Sequence, residues 1–233
     1  KDVLAVMPTG GGKSICYQIP ALMLDGITIV ISPLISLMKD QVDTLNELEI
    51  KAAYINSSLS DNEIFYILTD VKNKKTKILY IAPERLNSMS FVNLMKNLDV
   101  SMIAIDEAHC VSQWGHDFRK SYRNIPDFIN IFPKRPVVAC FTATATKEVR
   151  DDIVSVLELR NPKVFITGFN RENLKIKVIK GEVKKKYILD YVGKNSGQSG
   201  IVYCSTRKEV DSVYELLLGK FRTVTRYHGG LSD

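Results

Sequence analysis

The sequence predicts an α/β fold, a parallel sheet flanked by helices on both faces. Three observations predict it. Five short apolar runs, VLAVM, ITIVIS, ILYIA, MIAID and VVACFTA, recur along the 233 residues, and such runs suit strands buried on both faces. Segments with helical periodicity, such as LISLMKDQVDTLNEL and NEIFYILTDVK, lie between them. Strand–helix alternation of this kind is how crossover connections build parallel sheets. The first run feeds a glycine-rich turn that opens a helix, the layout of a phosphate-binding loop.

Composition narrows the class further. At 45% hydrophobic and 25% charged residues, the chain has the make-up of a soluble globular protein. No apolar run approaches the roughly 18 residues that span a bilayer, which argues against a membrane protein. The opening KDVLAVMPTGGG lacks the layout of a signal peptide. Cys16, Cys110, Cys140 and Cys204 are scattered without a zinc-binding spacing and read as reduced, mostly buried thiols. A formal charge of +6 permits nucleic acid as a partner without establishing it. Seven basic residues against two acidic ones fall between residues 171 and 186, a run that a solvated strand and helix face explains equally well.

In chain order, the strand VLAVM runs into MPTGGGKS at residues 7–14 and then into the helix SICYQIPALML. Thr9, Gly10, Gly11, Gly12, Lys13 and Ser14 are the candidate nucleotide contacts. The glycines let backbone N–H groups turn inward around phosphates, and the helix N-terminus adds partial positive charge. Lys13 is placed to reach the β- and γ-phosphates of ATP, and Ser14 to bind Mg²⁺. Met7 stands where the strict loop pattern has glycine, so a glycine-rich turn before an ordinary helix is the alternative.

The run MIAID ends on Asp106, with Glu107, Ala108 and His109 directly after it. Ligands of open α/β sheets bind beyond the carboxyl ends of the strands, where the phosphate loop also emerges. Asp106 is therefore expected to hold Mg²⁺, directly or through water, and Glu107 to orient or deprotonate an attacking water. His109 is a candidate relay from the γ-phosphate to neighbouring groups. A charged strand end explains this tetrad taken alone; the phosphate loop argues against that reading. The tail CVSQWGHDFR follows at once. Trp114 and Phe118 offer flat faces for unstacked bases, Arg119 a phosphate contact or a stacking plane, and His116 a DNA contact or a link back to the hydrolysis site. Spacing alone favours a core position for Trp114, the chain's one tryptophan.

VVACFTA leads to Thr146, a plausible N-cap for the helix KEVRDDIVSVLEL. The texture changes at Asn161-Pro162. KVFITG and NLKIKVIKG read as strands, KKKYILDYVG as a helix, IVYCST as a strand, KEVDSVYELLLGKF as a helix and TVTRYH as a strand. The expected division is a first domain at 1–162 and a second α/β unit at 163–233, short for a domain.

Taken together and in order, these stretches resemble the RecQ family of superfamily 2 DNA helicases. MPTGGGKS and DEAH are joined by ISPLISLMKDQV, similar to motif Ia, and by YIAPERL, similar to motif Ib. CVSQWGHDFR resembles the aromatic-rich loop particular to that family, FTATAT motif III and IVYCSTRKEVD motif IV, while FNREN and YHGGLSD match further family stretches. The resemblance covers essentially the whole chain. It implies a RecA-like P-loop NTPase lobe plus part of a second RecA-like lobe, with ATP between lobes and single-stranded DNA across their top. It implies ATP and Mg²⁺ as cofactors, 3′-to-5′ translocation on single-stranded DNA, unwinding of duplex DNA in repair and recombination, and an intracellular location, the cytoplasm or nucleoid of a bacterium or a eukaryotic nucleus.

The resemblance also implies DNA-binding or coupling roles for Ser36, Lys39, Arg85, Trp114, His116, Phe118, Arg119, Thr142, Thr144, Thr206 and Arg207. Trp114 and its neighbours would then couple DNA binding to hydrolysis at Glu107 and His109. Ordinary connections, ion pairs and cap chemistry account for several of the others. The family's adenine-reading segment, motifs V and VI with their arginine finger, and its zinc-binding and winged-helix regions have no counterpart here, so the chain reads as a helicase-core fragment. Two other functions stay open at this point: an ATP- and DNA-binding module without turnover, and an RNA helicase or non-unwinding translocase. A small GTPase-like switch is excluded, since no NKxD stretch appears.

Overall fold

The computed structural model describes residues 1–114, 117–168, 173–181, 183–221 and 223–231. Seven strands form one sheet: β1 (Val3–Val6), β2 (Ile27–Ile31), β3 (Ala52–Ile55), β4 (Ile78–Ile81), β5 (Val100–Ile105), β6 (Val137–Thr142) and β7 (Lys163–Ile166). Their order is β3-β4-β2-β5-β6-β1-β7, and every neighbouring pair is parallel. The five predicted strands are β1, β2, β4, β5 and β6. Among the helices, α1 (Lys13–Met23), α2 (Ile35–Glu47), α3 (Asp61–Lys72), α4 (Met89–Met95), α5 (Ile125–Asn130) and α6 (Lys147–Val156) belong to this unit.

Alternation along the strands sorts side chains to two cores. Ile27, Ile29 and Ile31 of β2 point to one face, where Ile103, Ile105, Phe128 and Val138 pack. Val30 points to the other, against Tyr17 and Ala21 of α1 and Met38 and Val42 of α2. Three of these helices, α3, α4 and α6, start at a side-chain cap. Ser60 and Glu63 form a reciprocal capping box at α3, and Thr146 accepts from the Val149 amide at α6, as predicted.

Two features differ from the sequence reading. β3 is an edge strand, AAYI, with three half-buried residues before the buried Ile55, and carries too weak an apolar signal to announce itself. β7, read as the opening of the second unit, pairs instead with β1, from Val3↔Lys163 to Val6↔Ile166. The cause lies at the foot of β1. The buried Asp2 carboxylate accepts from the amides of Arg160 (2.7 Å) and Val138 (3.0 Å) and from the Arg135 guanidinium (2.8 and 3.1 Å). That anchor delivers the chain after α6 to the β1 edge, and the first compact unit runs from Lys1 to Asn170.

The second unit, Arg171–Asp233, contains α7 (Lys184–Lys194) and α8 (Arg207–Leu218). The runs at 174–180, 201–204 and 223–228, expected as strands, carry no ladder among the described residues. An apolar run becomes a strand only when a neighbour takes up its N–H and C=O groups.

Candidate nucleotide site and aromatic loop

Four adjacent strands, β1, β6, β5 and β2, deliver the candidate residues to one edge of the sheet. The loop after β1 is held by backbone bonds. Its first amide, Met7, donates to Thr142 O at the end of β6 (2.9 Å), and Gly11 N–H donates to Pro8 O (2.9 Å). Gly12 caps α1 at φ 83, a left-handed conformation that glycine adopts without strain. Gly11 cannot carry a side chain, because a Cβ there would lie 2.9 Å from the Pro8 carbonyl. Thr9 and Gly10–Gly12 are exposed and Ser14 is half-buried. Lys13 Nζ donates to Met7 O across the loop (3.3 Å).

β5 ends two strands away, with β6 between. Asp106 N–H donates to Ile31 O on β2 (2.9 Å), which fixes the strand end. The Asp106 side chain is buried at 7% exposure. It accepts from the Glu107 amide (3.0 Å) and from the Ser32 hydroxyl (3.4 Å). Burial, and then the neighbouring Glu107 charge, push its carboxyl up to about 6, against the opposing pull of its hydrogen bonds and of Lys13. Glu107 itself turns through the left-handed region at φ 47, a conformation that costs a non-glycine residue about 1–3 kcal/mol and clusters at functional sites.

His109 is buried within this group. Its Nδ1 lies 2.8 Å from Thr142 Oγ1 and 3.2 Å from Glu107 Oε2. Thr142 Oγ1 also donates to Thr144 O (3.2 Å). The end of β6 thus joins the phosphate loop, through Met7, to the carboxylates, through His109. Among the described residues no three His, Cys, Asp or Glu side chains gather into a metal cage.

The aromatic tail leaves from the same place. Trp114 is 80% exposed, so its ring is displayed to solvent rather than buried in the core that spacing alone favoured. Phe118 is half-buried, with the Arg123 guanidinium 5.3 Å from its ring centre. Arg119 is engaged inside the chain: it donates to the Asp117 carboxylate (3.2 and 3.3 Å) and to Pro33 O in the β2–α2 connection (3.2 Å). His116 lies outside the described residues. Burial, then the neighbouring Asp117, push the Cys110 thiol up to about 12, so it is an inert packing residue.

Two residues here escaped the sequence reading. Tyr122, fully buried just after the loop, donates its hydroxyl to Asp106 O (2.8 Å). Ser112, at the loop's base, bonds to Asp152 of α6. No local pattern announces either, since both act over distance in sequence.

The remaining candidates are more dispersed. Ser36 and Lys39 are exposed on α2. Arg85 is half-buried over the Phe91 ring (5.8 Å), and its Nε is buried without a hydrogen-bond partner among the described residues. In the second unit, Thr206 caps α8 by accepting from the Glu209 amide (3.2 Å), and Arg207 is exposed close to Gly230.

A phosphate loop, a buried acidic strand end and a linking threonine on adjacent strands define a P-loop nucleotide-binding protein of the DEAH type. Residues 1–152 match the DEAD/DEAH box helicase family, and the chain belongs to it. Within that family it is similar over its whole length to the ATP-dependent DNA helicase RecQ of Bacillus subtilis (strain 168), at 55% identity over 233 residues. It is 40% identical over 243 aligned residues to the RecQ-like DNA helicase BLM of Xenopus laevis, again over the whole chain. The chain spans 39% of the length of the first and 18% of the second. Among solved structures, a DUF1998 helicase MrfA bound to DNA matches 94% of the chain, and 34% of its own length, at a TM-score of 0.70 and 18% identity. The helicase domain of Pyrococcus furiosus Hef matches 94% of the chain and 50% of its own length, at a TM-score of 0.56 and 19% identity. Both show the fold alone.

Proposed function

We propose that the chain is the nucleotide-binding core of an ATP-dependent DNA helicase, which couples ATP hydrolysis to 3′-to-5′ movement on single-stranded DNA and to duplex unwinding in the nucleoid or nucleus. One observation carries the reading: Lys13, Asp106, His109 and Thr142 occupy one edge of the sheet, and the displayed Trp114 follows five residues after His109. The first unit is the ATP-binding lobe and the second is part of a further RecA-like lobe.

In this reading the glycine-loop amides and Lys13 take the phosphates, with Lys13 exchanging Met7 O for them. The donor set suits Mg²⁺. A buried carboxylate and a serine hydroxyl are hard oxygen ligands, and Mg²⁺ takes few protein ligands beside water and phosphate. Ser14 and Asp106 would hold it, and when bound it neutralises the β- and γ-phosphate charge. Glu107 orients the attacking water, and His109 passes the state of the site to Thr142. Ser36, Lys39, Arg85, Thr206 and Arg207 contribute DNA-backbone contacts, and Thr144 extends the His109–Thr142 link. Trp114 and Phe118 stack on bases, worth about 1–3 kcal/mol per base. His116 and Arg119 complete the loop's contacts with DNA.

ATP binding and hydrolysis, measured with and without single-stranded DNA, test the proposal with Lys13→Ala as the blank. It expects binding in the wild type that the blank loses, and turnover that DNA increases. Equal ATP affinity in the two proteins would overturn the phosphate-loop assignment.

A further inference from the structure

The aromatic loop needs something to hold its base, because a ring with 80% exposure is fixed by its backbone rather than by packing. Two successive turns lie between His109 and Trp114, each closed by a hydrogen bond. The Ser112 amide donates to His109 O (3.1 Å) and the Trp114 amide donates to Ser112 Oγ (3.1 Å). Ser112 is the hinge common to both, and it is buried at 1% exposure. Its hydroxyl proton goes outside the loop, to Asp152 Oδ2 on α6, at 2.7 Å.

That third bond orients the other two. A serine hydroxyl has one proton and two acceptor lone pairs. With the proton committed to Asp152, a lone pair is left facing the Trp114 amide. If Asp152 loses its acceptor, the buried proton must find another partner, the hydroxyl rotates, and the bond that sets the Trp114 backbone is lost. Further along, the loop closes on itself through Arg119 N–H to Cys110 O (2.9 Å) and on the β2–α2 connection through Arg119 to Pro33 O. The Ser112–Asp152 bond fastens its base to a helix 40 residues away in sequence.

We infer that Asp152 is a positioning residue for the aromatic loop: through Ser112 it sets the placement of Trp114 relative to His109, and so the coupling between DNA and nucleotide. The inference deepens the proposed function and rests on it for the word coupling. The brace itself does not depend on DNA.

The test uses the chain's one tryptophan as its own probe. Trp114 fluorescence anisotropy is measured without ligand in the wild type, Asp152→Ala, Asp152→Asn and Ser112→Ala, with the unfolding midpoint recorded for each. Single-stranded oligothymidylate is then titrated, and a dye-labelled copy of it reports binding by Trp114→Ala. Asp152→Ala and Ser112→Ala are expected to lower Trp114 anisotropy and to raise the half-saturating DNA concentration roughly fivefold to tenfold, the equivalent of one hydrogen bond. Asp152→Asn keeps an acceptor and restores both readings to within about twofold, the scatter of a context-dependent bond. A bond that is merely structural would lower the unfolding midpoint and leave anisotropy and DNA half-saturation at wild-type values in the folded variants, and that result overturns the inference. If Asp152→Ala does not fold, Ser112→Ala removes the same bond from its other end and decides the matter. Unchanged DNA binding by Trp114→Ala would overturn the stacking role proposed for the loop. The ligand-free anisotropy would still decide the brace.

Discussion

At the residue scale, buried polar groups around the candidate site find specific partners. Thr142 is fully buried and connects His109 to Thr144. Thr142→Val keeps its shape and removes that hydroxyl, stranding polar groups at about 1–3 kcal/mol. Hydrolysis should fall by at least roughly tenfold while ATP affinity stays near wild type, since the phosphate contacts are untouched. Steady-state kinetics beside a direct ATP-binding isotherm checks this, and a matching loss of affinity would contradict it. Trp114→Ala should likewise retain ATP binding and lose DNA stimulation of hydrolysis, read in the same assay. Residue types were legible in the sequence wherever the chemistry is local: three glycines before Lys13, and two carboxylates at a strand end. Partners were not. Arg119 read as a phosphate contact or a stacking plane, and nothing local announced that its side chain meets Pro33 from 86 residues away and Asp117 two residues before it. Tyr122 and Ser112 offered no pattern at all, because their roles exist only once β5 and α6 are in place.

At the scale of single elements, local rules did most of the work. The phosphate loop, the strands buried on both faces and the Thr146 cap were readable because each obeys periodicity or capping chemistry within a few residues. β3 failed that test for want of a two-faced apolar run. The pairing of β7 with β1 was not legible, because strand pairing is a property of two segments and the sequence near Pro162 shows only one. The capping box of α3 yields a direct prediction. Ser60→Ala removes the acceptor for the Glu63 amide and the hydroxyl bonded to the Glu63 carboxylate, and should cost about 1 kcal/mol of stability. Chemical denaturation measures it. A loss below about 0.3 kcal/mol would mean that water replaces the cap fully.

At the scale of the whole first unit, Asp2 ties the start of β1 to β6 and to the chain entering β7. Burial works to raise its carboxyl, but the Arg135 guanidinium and the Arg160 and Val138 amides outweigh it and hold the group below its ordinary value of 3.8. A carboxyl depressed on folding stabilises the folded state above the unfolded value, and that contribution is lost as pH falls through the folded value. Stability should therefore decline below about pH 4 more steeply in the wild type than in Asp2→Ala. At neutral pH the variant should be about 3–5 kcal/mol less stable, because Arg135 is left half-buried without its partner. Urea unfolding across pH 2.5–7, on the order of the carboxylate range, shows both effects.

In the proposed function, one edge of the sheet joins a nucleotide site to a DNA-sensing loop. Coupling between two sites is reciprocal in binding free energy, so one titration reads it: Trp114 emission against single-stranded DNA, with and without ATP and Mg²⁺, in the wild type and in Lys13→Ala. Nucleotide should shift the half-saturating DNA concentration by roughly fivefold or more, on the scale of an ordinary coupling energy, and Lys13→Ala should keep the DNA response and lose the shift. A DNA response indifferent to nucleotide, or a shift that survives in Lys13→Ala, would contradict it.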